Sequence, residues 1–150
     1  MTPDERTPLY FRLFNEIGII AQLSTAVLER HLPDGLLEPH FRTLNHLVRV
    51  GDGRTPLQMA TAFQVPKTTV SHQVGVLAKH GLVRLEANPE DGRSKLVFLT
   101  DTGRAMREEV IASFASVVAE WSETIRPEEV AGLVPRLEAI RRFLDAERDG

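Results

Sequence analysis

Between Lys67 and Lys79 runs a series of short polar side chains, Thr68, Thr69, Ser71, His72 and Gln73, and further on Asp91-Gly92-Arg93 stands in a polar loop just before Lys95. These residue types suit duplex DNA. Glutamine can bond adenine through N6 and N7, hydroxyls serve several bases, and the methyl groups of threonine or of Val76 can touch a thymine methyl. Lys67, Ser71 and Lys79 suit phosphate, which positions a protein without reading sequence. Arg93 is separated from Asp91 by one glycine, so the carboxylate can hold the guanidinium extended toward a narrow minor groove. The plain alternatives are an exposed polar helix face without a partner and a solvated hairpin tip with a weak ion pair.

Other chemistries find less support. Cysteine is absent, which excludes a disulfide scaffold, a thiolate zinc site and a cysteine nucleophile. His40 and His46 are six residues apart and His72 and His80 eight apart, without an HExxH pattern, so structural or DNA-facing roles are favoured over metal binding. Glu108 and Glu109 are neighbours and therefore diverge by about 100° on a helix, unlike a general acid and base facing one substrate. With neither a glycine-rich phosphate loop nor a nucleophile elbow in view, the expectation is a protein that is not an enzyme and needs no cofactor or metal.

The elements that must hold the polar run can be read from periodicity. Val70, Val74 and Leu77 repeat at helical spacing and turn inward, which would leave Thr68, Thr69, His72, Gln73 and Val76 on the opposite face. This helix should end at Gly81, and Pro66 should separate it from a short helix that opens with Thr55-Pro56-Leu57-Gln58 and runs to about Phe63. LVRLEA and KLVFL then read as strand-like pieces separated by the loop Asn88–Ser94, a hairpin with a long tip. Upstream, Leu37, Phe41, Leu44 and Val48 mark a helix ended by Gly51-Asp52-Gly53. A long first helix carries Leu9, Leu13, Ile17 and Ile20, with Phe14, Gly18, Ile19 and Ala21 on its other sides. It is apolar nearly all round, as expected of a helix covered on two sides, one of them by a partner chain. Thr100 caps a further helix whose stripe extends from Met106 through Phe114 and Trp121 to Ile125. Pro127 opens the last, with Pro135 inside it at an expected cost of about 3 kcal/mol or a kink.

The 150 residues, 42% hydrophobic and 26% charged, fit one domain or two small lobes sharing a core. The net charge of -3 is unevenly spread, at -1 over residues 1–50, +3 over 51–107 and -5 over 108–150, so the polar run and the hairpin lie in the basic stretch. No stretch approaches the roughly 20 apolar residues of a membrane span, and the first residues do not read as a signal peptide, so the expected location is the cytoplasm, away from membranes.

Two short helices joined by a tight turn and followed by a hairpin with a basic tip make a winged helix-turn-helix. Thr68-Thr69-Val70-Ser71-His72, Leu77, Gly81-Leu82-Val83-Arg84, Asp91-Gly92-Arg93-Ser94-Lys95, Leu99-Thr100 and Gly103 stand in an order and spacing that resemble the MarR family of bacterial transcription regulators, and the resemblance spans essentially the whole chain. It implies a mainly α fold with a small β-hairpin wing. Residues 36–99 would form the DNA-binding winged domain and residues 1–35 and 100–150 a helical dimerisation region. It further implies a homodimer on a roughly palindromic operator, acting as a repressor until a small-molecule effector releases it. With no cysteine or clear metal set to offer another signal, the effector is expected to be a small, largely apolar ligand such as an aromatic acid, bound near Phe14, Phe41 and the start of the fifth helix. The sequence departs from the commoner pattern at His72, where many relatives have arginine, and at Gly75, which costs a helix about 1 kcal/mol against alanine. These departures leave open a winged-helix ligand-binding or protein-interaction module without operator specificity. A small hydrolase, with a site between bundle helices, is the remaining rival.

Overall fold

A computed structural model describes residues 1–150, in the order α1 (Pro3–Glu29), α2 (Glu38–Val50), α3 (Pro56–Phe63), α4 (Lys67–Lys79), β1 (Val83–Ala87), β2 (Lys95–Leu99), α5 (Asp101–Ser113), α6 (Ala115–Thr124) and α7 (Pro127–Asp149). Local chemistry sets most of these boundaries. Thr55 Oγ1 accepts the Gln58 N–H at 3.1 Å while Gln58 Oε1 accepts the Thr55 N–H at 2.9 Å, so two donors at the start of α3 are bonded reciprocally, with Pro56 in the first helical position. Thr2 and Glu5 do the same for α1. After Phe63 the chain reverses through Gln64, the one non-glycine residue with positive φ (55°), and Pro66 precedes α4.

At the far end of α4, Gly81 takes φ +71°. Its N–H bonds Ala78 O at 3.0 Å and the Leu82 N–H bonds Leu77 O at 3.0 Å, a Schellman closure that feeds buried Leu82 into the core and starts β1. β1 and β2 pair antiparallel with Val83 opposite Leu99 and Ala87 opposite Lys95. A third segment joins them. The Gly53 N–H donates to Val97 O at 3.0 Å, the Val97 N–H to Arg54 O at 2.9 Å, and Asp52 Oδ1 accepts the Leu99 N–H at 2.9 Å, so the linker between α2 and α3 is sewn to the wing.

The buried core lies between these elements. Leu44 and Leu47 of α2, Met59 and Ala60 of α3, Val70, Val74 and Leu77 of α4, Leu82, Val83 and Val97 of the wing, and Met106 and Val110 of α5 form one cluster. Met106 and Val110 of α5 thus pack into the same core as the winged unit, beyond the boundary expected at residue 99. By contrast α1, α6 and α7 contribute no buried residue.

One expectation about the long helices needs correction. The stripe from Met106 to Ile125 is interrupted at Phe114, where Ser113 Oγ donates back to Val110 O at 2.6 Å, a side-chain competition for a helical carbonyl that bends helices. Pro135 stands inside α7, as its place in the sequence pattern led one to expect, and the helix runs through it.

Candidate nucleic-acid interface

Because Val70, Val74 and Leu77 of α4 are buried against α2 and α3, the geometry of that helix decides which polar residues stand outside. Lys67, Thr68, Thr69, Ser71, His72 and Lys79 are exposed. Gln73 is not. It is 6% exposed, and its Oε1 accepts the hydroxyl of fully buried Thr43 on α2 at 3.3 Å. Val76 likewise packs partly buried against the core. Both had been expected on the outer face. They lie on either side of the inward row, one step after His72 and one before Leu77, and α2 covers more of α4 than a one-sided pattern implies. The Thr43–Gln73 bond ties α2 to α4 instead of addressing a base.

In the wing, Asp91, Arg93 and Lys95 are all exposed. Asp91 Oδ1 accepts the Arg93 backbone N–H at 3.0 Å and lies 3.4 Å from Arg93 Nε, while the Arg93 side chain is 94% exposed. The carboxylate shapes the tip and leaves the guanidinium projecting. At the base of the hairpin the Arg84 guanidinium lies 4.5 Å from the centroid of the Phe98 ring and pairs with Glu86, which braces the two strands.

The two effector-site candidates do not meet. Phe14 lies on the exposed side of α1, in an open concavity formed with Pro3, Arg6, Thr7, Tyr10 and Phe11 of the same helix, whereas Phe41 of α2 packs against the core. Within one chain they enclose no common pocket.

Sequence reasoning missed a role for His40. Its Nδ1 accepts the Leu37 N–H at 2.9 Å, so the ring substitutes for a side-chain cap at the start of α2. Only the neutral imidazole has that lone pair, and a cation at a helix N-terminus is unfavourable. Burial, then the charges of His72 on α4 and of His80 just beyond its end, push its pKa below the ordinary histidine value. His46 is lowered too, by burial first and then by the charges of Arg49, Arg54 and Arg148. No group of three or more His, Asp or Glu residues is arranged to hold a metal ion.

The sign of the pH dependence follows. Folded histidines with lowered pKa values bind fewer protons than unfolded ones, which titrate near about 6.5. Their contribution to stability is therefore fully present above that pH and is lost as pH falls from there toward the folded pKa values. Urea midpoints should drop between pH 7.5 and 5.5, and less so in His40→Gln. An equal drop in that variant would remove His40 from the account.

No helix is long and apolar enough to cross a membrane. Among known proteins, the family model for the MarR family matches residues 34–94, the stretch from the end of the α1–α2 connection to the wing tip. The HTH-type transcriptional repressor YetL of Bacillus subtilis (strain 168) is 27% identical over 139 residues, covering 91% of this chain and 83% of that protein. Among solved structures, wild-type MarR from E. coli in its apo form superposes with a TM-score of 0.71 at 25% identity, over 85% of this chain and 96% of that one. A mutant E. coli MarR complexed with operator DNA gives 0.67 at 24% identity, over 86% and 93%. The match to the family model covers the helix-turn-helix and the first strand and tip of the wing, and the repressor and the solved structures extend the likeness to the flanking helices, so the chain is similar to MarR-family regulators in sequence over its winged unit and in fold over most of its length.

Proposed function

We propose that this protein is a DNA-binding transcriptional repressor that acts as a homodimer on a palindromic operator and is released by a small-molecule effector. Residues 36–99 would bind DNA and residues 1–35 and 100–150 would form the dimer. The observation that carries the reading is the outward row Lys67, Thr68, Thr69, Ser71, His72 and Lys79 on α4, set beside a wing whose Arg93 projects from the tip. The hydroxyls and His72 are the base-edge candidates, with Lys67, Ser71, Lys79 and Lys95 meeting phosphate. A related MarR complexed with operator DNA supports the same use of this fold, and the repressor YetL supports the direction of control.

The experiment is a binding titration against the duplex flanking the protein's own gene and a scrambled duplex, at several salt concentrations. A preference of at least about a thousandfold for a palindrome in that DNA is expected. Equal, weak binding to both duplexes would overturn the reading and leave a winged module without operator specificity.

Arg93→Ala should weaken binding to both duplexes and make the slope of log K against log salt shallower by about one unit. Asp91→Ala separates orientation from charge. Removing an acid near DNA should by charge alone tighten binding, yet loss of the bond to the Arg93 N–H should loosen the tip and give weaker binding. Tighter binding by Asp91→Ala together with no loss in Arg93→Ala would take the wing out of the interface.

A further inference from the structure

A second site of distinct chemistry lies away from α4 and the wing tip. Between α2, the start and end of α3, and the C-terminal end of α7 is a cavity of about 600 Å³, with Val50, Ala62 and Phe63 its only apolar lining residues. Five arginines and two aspartates line it. The aspartates are already taken. Asp145 pairs with Arg141 at 3.2 Å and with Arg148 at 3.1 Å, and Asp149 with Arg148 at 2.9 Å. That leaves Arg49 and Arg54 without a carboxylate partner, and Arg42 with only a long pair to Glu38. Arg49 makes no hydrogen bond or ion pair. Arg54 donates only to the carbonyls of Gly51 and Val50. Arg42 Nε is buried with no hydrogen-bond partner, its nearest acid being Glu38 at 3.9 Å, while its guanidinium lies 5.0 Å from the centroid of the Phe63 ring.

A buried Nε without an acceptor, on an Arg42 whose only acid is a long contact to Glu38, beside two arginines with no carboxylate partner, is an arrangement that added oxygens would satisfy. We propose that this cavity binds a compact polyanion, a small organic molecule carrying two or more carboxylate or phosphate charges, held by Arg42, Arg49 and Arg54. Guanidinium forks suit both kinds of oxyanion, and three of them match a ligand of two to three charges better than a monovalent aromatic acid. The sparse apolar lining argues against a greasy ligand. A continuous phosphate backbone fits poorly, because the wall contributed by α7 carries Asp145 and Asp149 and the space is concave and molecule-sized.

The position gives such a ligand leverage. Arg148 Nη1 donates to Ala62 O of α3 at 3.3 Å, so the cavity sits where α7 touches the helix-turn-helix, and an anion there would fix the end of α7 against α2. The inference rests on the effector-released regulator proposed above in assigning this anion a regulatory role, but binding itself is measured without DNA, so the two can fail separately.

The test is calorimetric titration of the full chain with citrate, glucose 6-phosphate and benzoate at matched ionic strength, in wild type, Arg49→Gln and Arg93→Gln. Citrate or glucose 6-phosphate should bind with one site per chain, and which of them binds tighter distinguishes a polycarboxylate from a phosphate ester. Benzoate should bind at least tenfold more weakly. Arg49→Gln, an exposed change that disturbs no contact, should weaken the polyanion at least tenfold, and Arg93→Gln should leave it unchanged. The NMR titration of His46, which lines the same cavity with Arg49, Arg54, Arg148 and the two aspartates around it, should shift to higher pH when the anion is bound. No binding by either polyanion, or equal losses in Arg49→Gln and Arg93→Gln, would overturn the proposal. So would weaker and less salt-dependent duplex binding by Arg49→Gln in a protein that takes up no polyanion, which would reassign the arginines to the DNA backbone.

Discussion

Gly103→Ala is expected to lower stability by about 2 to 3 kcal/mol, although it replaces the poorer helix former by the best one. Gly103 is buried in the first turn of α5, and a Cβ there would lie 2.1 Å from Leu82 O and 3.0 Å from both Leu82 C and Leu99 Cδ1. The obstacle is backbone, and it is backbone that cannot retreat. Leu82 O accepts the Thr100 N–H at 3.1 Å, the Leu82 N–H is engaged in the Schellman closure of α4, and Thr100 Oγ1 both donates to Gly81 O at 2.7 Å and accepts the Gly103 N–H at 3.0 Å. The methyl group therefore forces apart the end of α4, the start of β1 and the cap of α5 together, where the winged unit is joined to the helices beyond it. Gly75→Ala is the comparison. It sits in α4 with nothing within 4 Å of the added Cβ, so helix propensity should act alone and raise stability by about 0.5 to 1 kcal/mol. Urea denaturation of both variants reads the contrast. A stable Gly103→Ala would mean that the junction is looser than its hydrogen bonds imply.

The residues that made the fold readable are those whose local chemistry acts alone. Thr55 and Gln58, Pro66, Gly81 and Thr100 each mark a boundary without help from distant contacts, and two strand-like runs separated by a polar loop mark the hairpin, so the helix-turn-helix and its wing follow from spacing. What escaped depends on packing at long range. Gln73 reads as polar and therefore outward, but its partner Thr43 is thirty residues away and fully buried, and a lone polar pair inside a core leaves no periodic trace. The linker at Gly53 and Arg54 carries no strand pattern because two residues are too short to show one, and only β2 gives them a role. The arginines of the α2–α7 cavity are scattered from residue 42 to 148 across all three segments of the charge balance, so no segment reveals them together. Phe14 and Phe41 were paired because aromatics suit an aromatic acid, but composition does not say which side of a helix faces a neighbour.

Ile20→Glu should convert a dimer of about twice 16.8 kDa into monomer and reduce operator affinity at least a hundredfold. Along α1, Tyr10, Phe11, Phe14, Ile20 and Leu23 are each more than half exposed, and Trp121 of α6 with Leu133 and Phe143 of α7 extend the apolar surface on the other lobe-distal helices. Such an area is far beyond the scattered apolar residues normal on a monomer, while the core of the winged unit is complete without it. A second copy is the occupant that symmetry favours, since one patch then covers itself. A carboxylate at position 20, which is 60% exposed in the isolated chain, would be buried in each half of such an interface and would cost several kcal/mol, on the order of 3 to 5 for an uncompensated charge. The affinity loss follows from linkage: two winged units tied together bind adjacent half-sites as one event, and separated units lose the effective concentration that the tie provides. Sedimentation and the duplex titration should therefore change together in Ile20→Glu, with the core amides of Leu44, Leu77 and Val97 still protected from hydrogen exchange. A variant that stays dimeric would move the interface away from Ile20, and a monomer that binds the operator as tightly as the parent protein would remove the need for paired half-sites altogether.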